Sequence, residues 1–422
     1  MRILIATDAF PPICGGSGWS TYELARGLRR RGHEIVVVQP YEDRPPPEYD
    51  GFNVIGFRSP APSIPFVRNY FRNERLYRRL SAYLAGVIRR ERIDIVHAQH
   101  QLTGPAAIRA AHAAAVPAIC TIRDYWPMCY WGDLVRDPAA GDLCPGCSTS
   151  AMTRCLKPRG GAVWPLSLPM IPYMQSNLAA KQYDVASADA IVAVSRYVAE
   201  ALRHRAALSG VRIETLPNGV DIAQMRAQVR ASARPLSEPY AIFIGKLAHN
   251  KGVDALVDVV KRAKLRMPLV VIGDGPARAS LIAAATDAAA DVRVLPWLGR
   301  DDVFRWLGYA AMLVFPSNWP EPLSRVLIEA SALSVPIAAM NTGGTSDVIV
   351  DERTGLLSSS IHELADDVAR LAADESLRQR LGKAAGERAE LLFDIHVVVD
   401  EIQRLYADVV ARFQTRRRTG AA

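Results

Sequence analysis

The sequence predicts two α/β domains in tandem, each a mainly parallel sheet wound with helices. Three observations predict this class. The 422 residues exceed one ordinary core and fit two domains of about 200 residues each. The apolar runs are short and continuous rather than alternating, as strands buried on both faces of a parallel sheet read. Those runs alternate with helical patterns almost throughout and fall into two series.

The first series is Ile3–Ala6, Ile35–Val38, Ile95–Ala98, Ala118–Ile122 and Ala190–Val194, with a helical stretch at Tyr22–Arg31. The second is Ala241–Ile244, Leu269–Ile272, Val292–Leu295, Met312–Phe315 and Ile337–Met340, with helical stretches at Val253–Lys264 and Leu364–Ala373. The series part around Leu208–Glu238, which sets an N-terminal domain at 1–215 and a C-terminal one at 216–394. The Glu/Arg-rich stretch Gly386–Arg417 reads as one helix, and residues from about 395 to 422 are expected to pack back on the first domain. The opening run Met1–Asp8 is short and ends in an acid, which reads as a buried strand and not a signal peptide. No stretch approaches the ~20 apolar residues that span a bilayer. The expectation is a cytoplasmic protein, with room for a peripheral place on the inner face of the membrane.

Half the residues are hydrophobic and 22% are charged, as in soluble globular proteins. The charge is uneven: residues 1–210 hold 25 Lys+Arg against 17 Asp+Glu, and residues 211–422 hold 26 against 26. An anionic partner larger than a small ligand should therefore meet the first half. There, Arg68–Leu80 interleaves arginines with Tyr70, Phe71 and Tyr77. As a helix it would suit an anionic membrane or a lipid-linked diphosphate, and a solvated helix face explains it as well. No nucleic-acid recognition motif accompanies the charge.

Open parallel sheets bind ligands beyond the carboxyl ends of their strands. The first such loop, Phe10–Ser20, carries Gly15, Gly16 and Gly18 ahead of a helix, so backbone could approach a phosphate there. It is not G-x-G-x-x-G, and no acid closes the second strand, so a dinucleotide fingerprint fails. In the second half, Gly245-Lys246-Leu247…Lys251-Gly252 puts two lysines between a strand and a helix. Two ammonium groups there could neutralise a diphosphate leaving group, and two surface lysines would look the same. Further on, Glu321 and Glu329 stand eight apart in Pro316–Ala330, a spacing that would place both on one helix face about two turns apart.

At these residues the sequence resembles glycosyltransferase family 4, retaining enzymes of the GT-B fold, two Rossmann-like domains facing a central cleft. The family's G-R-L-x-x-x-K-G element is similar to Gly245–Gly252, with Lys246 in place of arginine, and its E-x7-E to Glu321 and Glu329. Its G-G-x-x-E turn resembles Gly343–Asp347, its early G-G loop Gly15-Gly16, and its interdomain P-N-G-V-D Pro217–Asp221. The resemblance covers nearly the whole chain in the right order. It implies a UDP- or GDP-sugar donor, with Lys246 and Lys251 on the diphosphate and Glu329 on the ribose. It puts Glu321 on the donor sugar, Gly245, Ser324 and Arg325 around the donor, and the Gly15-Gly16 backbone near the phosphates or acceptor. It also implies a sugar or lipid-linked acceptor in polysaccharide or glycolipid biosynthesis and no cofactor for catalysis; the chain contains no D-x-D.

The sequence departs from the family pattern after the fourth strand, where His97-Ala98-Gln99-His100 replaces H-x-H-D. Gln99 and His100 are both candidates to touch the sugar, and His97 reads as structural. Arg123 replaces a histidine, Ser324 a glycine and Asp347 a glutamate, changes that bear on sugar specificity. Cys129, Cys144, Cys147 and Cys155 cluster around a C-x2-C, and Asp124–Cys129 is similar to a D-Y-W-x-x-C found in some members. Four thiolates could hold a structural zinc in a segment without its own core, and free thiols are the equal alternative. Two other functions stay open at this point: a same-fold sugar-nucleotide epimerase, and a non-catalytic sugar-nucleotide or membrane-binding partner.

Overall fold

A computed structural model describes residues 1–64, 67–137, 142–144, 146–205, 208 and 210–419. Its strands are β1 (Arg2–Ala6), β2 (Glu34–Tyr41), β3 (Val54–Arg58), β4 (Ile95–Ala98), β5 (Ala118–Ile122), β6 (Val135–Asp137), β7 (Asp142–Leu143), β8 (Ala190–Ala193) and β9 (Ile213–Thr215). There follow β10 (Ala241–Ile244), β11 (Leu269–Ile272), β12 (Val292–Leu295), β13 (Met312–Phe315), β14 (Ile337–Met340) and β15 (Leu356–Ser358). The chain divides into two compact units, the first comprising Met1–Arg136, Cys144–Gly219 and Ile395–Ala422 and the second Asp137–Leu143 and Val220–Asp394.

The first unit holds a seven-stranded sheet in the order β3-β2-β1-β4-β5-β8-β9, and the second a six-stranded sheet in the order β12-β11-β10-β13-β14-β15. Neighbouring strands in both run parallel. Strand order reverses between β1 and β4 in one sheet and between β10 and β13 in the other. Such switch points open a crevice at the strands' carboxyl ends.

Each core follows from the pattern. In the helix Ile395–Thr419 the residues Ile395, Val398, Val399, Ile402, Leu405, Tyr406 and Val409 are spaced three and four apart, and all are buried with β1 and the helix Gly16–Arg30. Gly27 permits that approach, since a Cβ there would stand 2.5 Å from Val399 Cγ2. The stretch expected as one helix from Gly386 instead breaks at Phe393 and Asp394, between helices Glu375–Leu392 and Ile395–Thr419. At the break the Phe393 carbonyl accepts Val220 N–H at 2.9 Å, a bond an unbroken helix could not make.

Between β5 and β8 lies an insertion with helices Thr149–Gly160 and Met170–Ala186. Contrary to expectation it has a core of its own, formed by Tyr130, Met152, Leu156, Ile171, Met174 and Leu178. The structural zinc finds no support, although Cys129 hydrogen-bonds Cys147, with Cys144 and Cys155 within electrostatic reach. Arg159 donates to Cys155 Sγ at 2.8 Å, and Cys144 Sγ turns to the Gly146 carbonyl at 3.3 Å. Among the described residues no group of three or more His, Cys, Asp or Glu is placed to hold a metal. Pro145, inside the C-x2-C, lies outside the described residues.

The basic segment is helical, as Val67–Tyr70, one wider turn Phe71–Arg75, and Leu76–Arg90. Tyr77 does not reach the surface: it is 2% exposed and its hydroxyl donates to the Gln101 carbonyl at 3.1 Å. Leu76 and Leu80 are buried with it, on the stripe that packs inward.

Candidate functional site

In the second unit the switch-point loops follow β10 and β13. The first runs Gly245–Gly252 and is drawn tight against its neighbours by backbone bonds, Gly245 N–H to the Ile272 carbonyl at 3.1 Å and Leu247 N–H to the Asp274 carbonyl at 2.9 Å. Gly252, at φ +69°, lies so close to the next loop that a Cβ would stand 1.9 Å from the Pro316 carbonyl oxygen. That closeness brings Lys251 to Glu321: Nζ donates to Oε1 at 2.6 Å and lies 4.6 Å from the centre of the Trp319 ring.

Glu321 is 3% exposed, and Ser317, fully buried, donates its hydroxyl to the same Oε1 at 2.6 Å. The Glu321 carbonyl accepts Gly344 N–H at 2.6 Å. A buried carboxylate thus has a cation, a hydroxyl and a fixed backbone, as a desolvated charge requires. Lys246 is exposed. Breaking the sequence expectation, Glu321 does not share a helix with Glu329. The helix is Arg325–Ala332, and Glu321 precedes it between Pro320 and Pro322. Proline lacks the helical donor and disfavours helical backbone in the residue before it, so the helix starts past the pair. Glu329 lies one turn into that helix and accepts from Arg325 Nε at 2.7 Å. Ser324 is the helix N-cap residue, and its side chain accepts no capping bond.

In the first unit, Gly15 and Gly16 are exposed at the start of the helix Gly16–Arg30, which has no side-chain cap and no acid in its first turn. Its opening N–H groups therefore favour an anion. Within β4, His97 is structural: Nδ1 meets Tyr406 Oη and Nε2 meets Thr121 Oγ1, both at 2.6 Å. Burial, with Arg123 adding, lowers its pKa to about 3.

Gln99 is fully buried; Arg123 donates to its Oε1 and, through Nε, to Asn218 Oδ1 at 3.0 Å, which leaves Gln99 Nε2 without a partner among the described residues. His100 Nδ1 accepts Asp8 N–H at 3.3 Å, which assigns the ring proton to Nε2, also without a partner among the described residues. Burial and then Arg123 lower the His100 pKa to about 3, so the ring stays neutral. Two neighbouring donors are thus unspent at one strand end. Asp8 itself anchors the turn, accepting Leu102 N–H at 2.8 Å and Thr103 N–H at 2.9 Å. Burial outweighs those bonds and raises its pKa to about 6.

Sequence reading missed Ser317 and Trp319. The signal was present, since both lie in the short segment between β13 and Glu321, where any side chain must line the same turn. It also missed Asn218, whose partner Arg123 stood out only as a departure.

Residues 14–224 match the model of Glycosyltransferase Family 4, and 224–388 that of Glycosyl transferases group 1. The chain is 29% identical over 437 residues to a GDP-mannose-dependent alpha-mannosyltransferase of Mycobacterium tuberculosis, covering 99% of each. It is 28% identical over 404 residues to a D-inositol 3-phosphate glycosyltransferase of Xylanimonas cellulosilytica, covering 89% of this chain and 87% of that one. Among solved structures it shares its fold with sucrose-phosphate synthase from Thermosynechococcus elongatus (TM-score 0.72, 19% identity, 97% and 99% covered). Anabaena HepE in complex with UDP is similar too (TM-score 0.66, 17% identity, 97% and 100% covered). The relatives named are transferases, matched over both Rossmann-like units of a GT-B fold: the chain belongs to glycosyltransferase family 4 and is a glycosyltransferase.

Proposed function

We propose that the enzyme is a retaining transferase that moves a sugar from a UDP- or GDP-sugar to a hydroxyl of a sugar or lipid-linked acceptor, in cell-surface glycan or glycolipid biosynthesis. One observation carries this: Lys251, paired with buried Glu321 on the face of Trp319, sits at the switch point of the second sheet. Lys246 and Lys251 would carry the donor diphosphate, as preorganised charge that stabilises the leaving group. Glu329, oriented by Arg325, would take the ribose hydroxyls, and Glu321 those of the sugar. Gln99 Nε2 and His100 Nε2 would donate to the sugar ring's oxygens. In the step itself the bond from the anomeric carbon to the phosphate oxygen breaks and a bond to the acceptor oxygen forms on the same face. The acceptor's proton passes to the departing phosphate oxygen, so no protein base is needed.

A panel of UDP-, GDP- and ADP-sugars in thermal-shift assays tests the donor. A ligand at about 100 times its Kd adds ~2.7 kcal/mol, so one base should stand out. No shift from any nucleotide sugar would sink the reading. Proton NMR of the product should show the donor's anomeric configuration kept.

A peripheral membrane position is part of the proposal. No helix among the described residues is long and apolar enough to cross a bilayer. Ile64, Val67 and Tyr70 are 61%, 43% and 42% exposed, three apart beside Arg68, Arg72 and Arg75. That spacing supports an amphipathic contact, although Arg68 and Arg72 also pair with Glu42. Arg72→Gln, Arg75→Gln and Arg79→Gln together should weaken binding to anionic liposomes on the order of a hundredfold, at ~1 kcal/mol for each charge. Equal flotation of wild type and variant, or none by either at low salt, decides against the membrane.

A further inference from the structure

The helix Met170–Ala186 buries a polar stripe that the transfer chemistry above does not use. Tyr173, Asn177 and Lys181 are four residues apart, hence on one face. Lys181 is 1% exposed and its Nζ has no hydrogen-bond partner among the described residues; it lies 5.4 Å from the centre of the Tyr130 ring. Asn177, also 1% exposed, donates through Nδ2 to Glu74 at 3.0 Å, and its Oδ1 has no partner among the described residues. At the outer end Tyr173 is half-buried, its ring 6.5 Å from that of Tyr130. The charges of Asp124, Cys129 and Glu74 each favour the charged ammonium, Asp124 the most. Burial draws the Lys181 pKa down to about 8 and pushes that of Asp124 up to about 7.

A buried amide oxygen left unpaired costs about 1–3 kcal/mol and a charged group more, so native folds keep few of them. Two stand here one helical turn apart, between carboxylates and beside two aromatic rings. Ammonium and tyrosine hydroxyls donate, the amide oxygen and carboxylates accept, and the rings offer apolar faces. A polyhydroxylated ring has the matching parts: hydroxyls that both donate and accept, and C–H faces that rest on aromatics. Two carboxylates against one ammonium argue against a phosphate. The place suits an acceptor, since Asp124 follows β5 directly after Arg123, which holds Gln99.

We propose that Lys181, Asn177, Glu74 and Asp124, with Tyr130 and Tyr173, form a subsite for a neutral sugar or cyclitol ring of the acceptor. Its assignment as the acceptor's rests on the transferase reading; the binding itself does not.

Saturation-transfer NMR on the full chain tests it, with methyl α-glycosides of glucose, mannose and galactose and with myo-inositol as probes. At least one should take up saturation from wild type and bind about tenfold more weakly, or not at all, to Lys181→Met and Asn177→Leu, a loss of ~1.4 kcal/mol. Lys181→Met should melt no lower than wild type, because an apolar chain of similar length replaces an unpaired buried charge. A lysine with a purely structural role predicts the reverse, a lower melting temperature with binding unchanged. That result, or no saturation by any of the four probes, overturns the subsite. UDP and GDP thermal shifts on the same samples separate the two claims: nucleotide binding without sugar binding removes the subsite alone, and the absence of both removes the transferase reading as well.

Discussion

Lys251 and Glu321 show what a side chain gains from its neighbours. Each would be an unremarked surface charge in a flexible loop, yet together with Ser317 and Trp319 they form a desolvated pair at a strand end. His100 makes the complementary case, a ring kept neutral with its one proton aimed where no described residue takes it. Its pKa of about 3 lies below the ordinary 6.5, so the unfolded chain takes a proton below pH 6.5 that the folded chain refuses. This contribution to stability is whole above pH 6.5 and is lost as pH falls from there towards 3. The His100 ring signals in NMR should therefore not titrate between pH 5 and 9, and a midpoint near 6.5 would contradict the buried neutral ring. The motif lysines and glutamates were legible in the sequence because their order along the chain is distinctive. Lys181 was not, because a lysine within a helix reads as solvated until the packing of its face is known.

At the scale of elements, the loops depend on glycine where backbone meets backbone, as at Gly252 and at two further turns. Gly273, at φ +150°, would put a Cβ 1.9 Å from the Gly245 carbonyl oxygen, and Gly343, at φ +56°, would put one 2.4 Å from that of Glu321. Gly343→Ala should thus cost at least about 1–3 kcal/mol through strain, and should shift the Glu321 backbone that Gly344 N–H holds. Gly299→Ala, with open space around its Cβ and φ −63°, is the control and should change the melting temperature little. Equal melting of both variants would show that the turn yields. Ten strands were readable as apolar runs, while β3, β6, β7, β9 and β15 escaped notice, being short or only partly buried. The helix expected to carry both glutamates failed for a local reason, the prolines on either side of Glu321.

For the whole molecule, length and the two series of apolar runs pointed to two domains, and the units follow two separate cores with the last helix packed in the first. The charge excess of residues 1–210 could not be converted into a surface from sequence, because pairing decides how much of it is free. Arg68 with Glu42, Arg109 with Asp184 and Arg159 with Asp133 are all paired within the first unit. The central claim is that lysines at the second sheet's switch point carry the leaving diphosphate. Its most direct test is the rate of transfer from the nucleotide sugar selected by thermal shift, in wild type, Lys246→Ala and Lys251→Ala. Lys246 is exposed, so its loss leaves the fold unchanged and reads the chemistry alone. The account predicts a fall on the order of 10²-fold in each variant, with the melting temperature of Lys246→Ala unaltered. Wild-type turnover in both would contradict it.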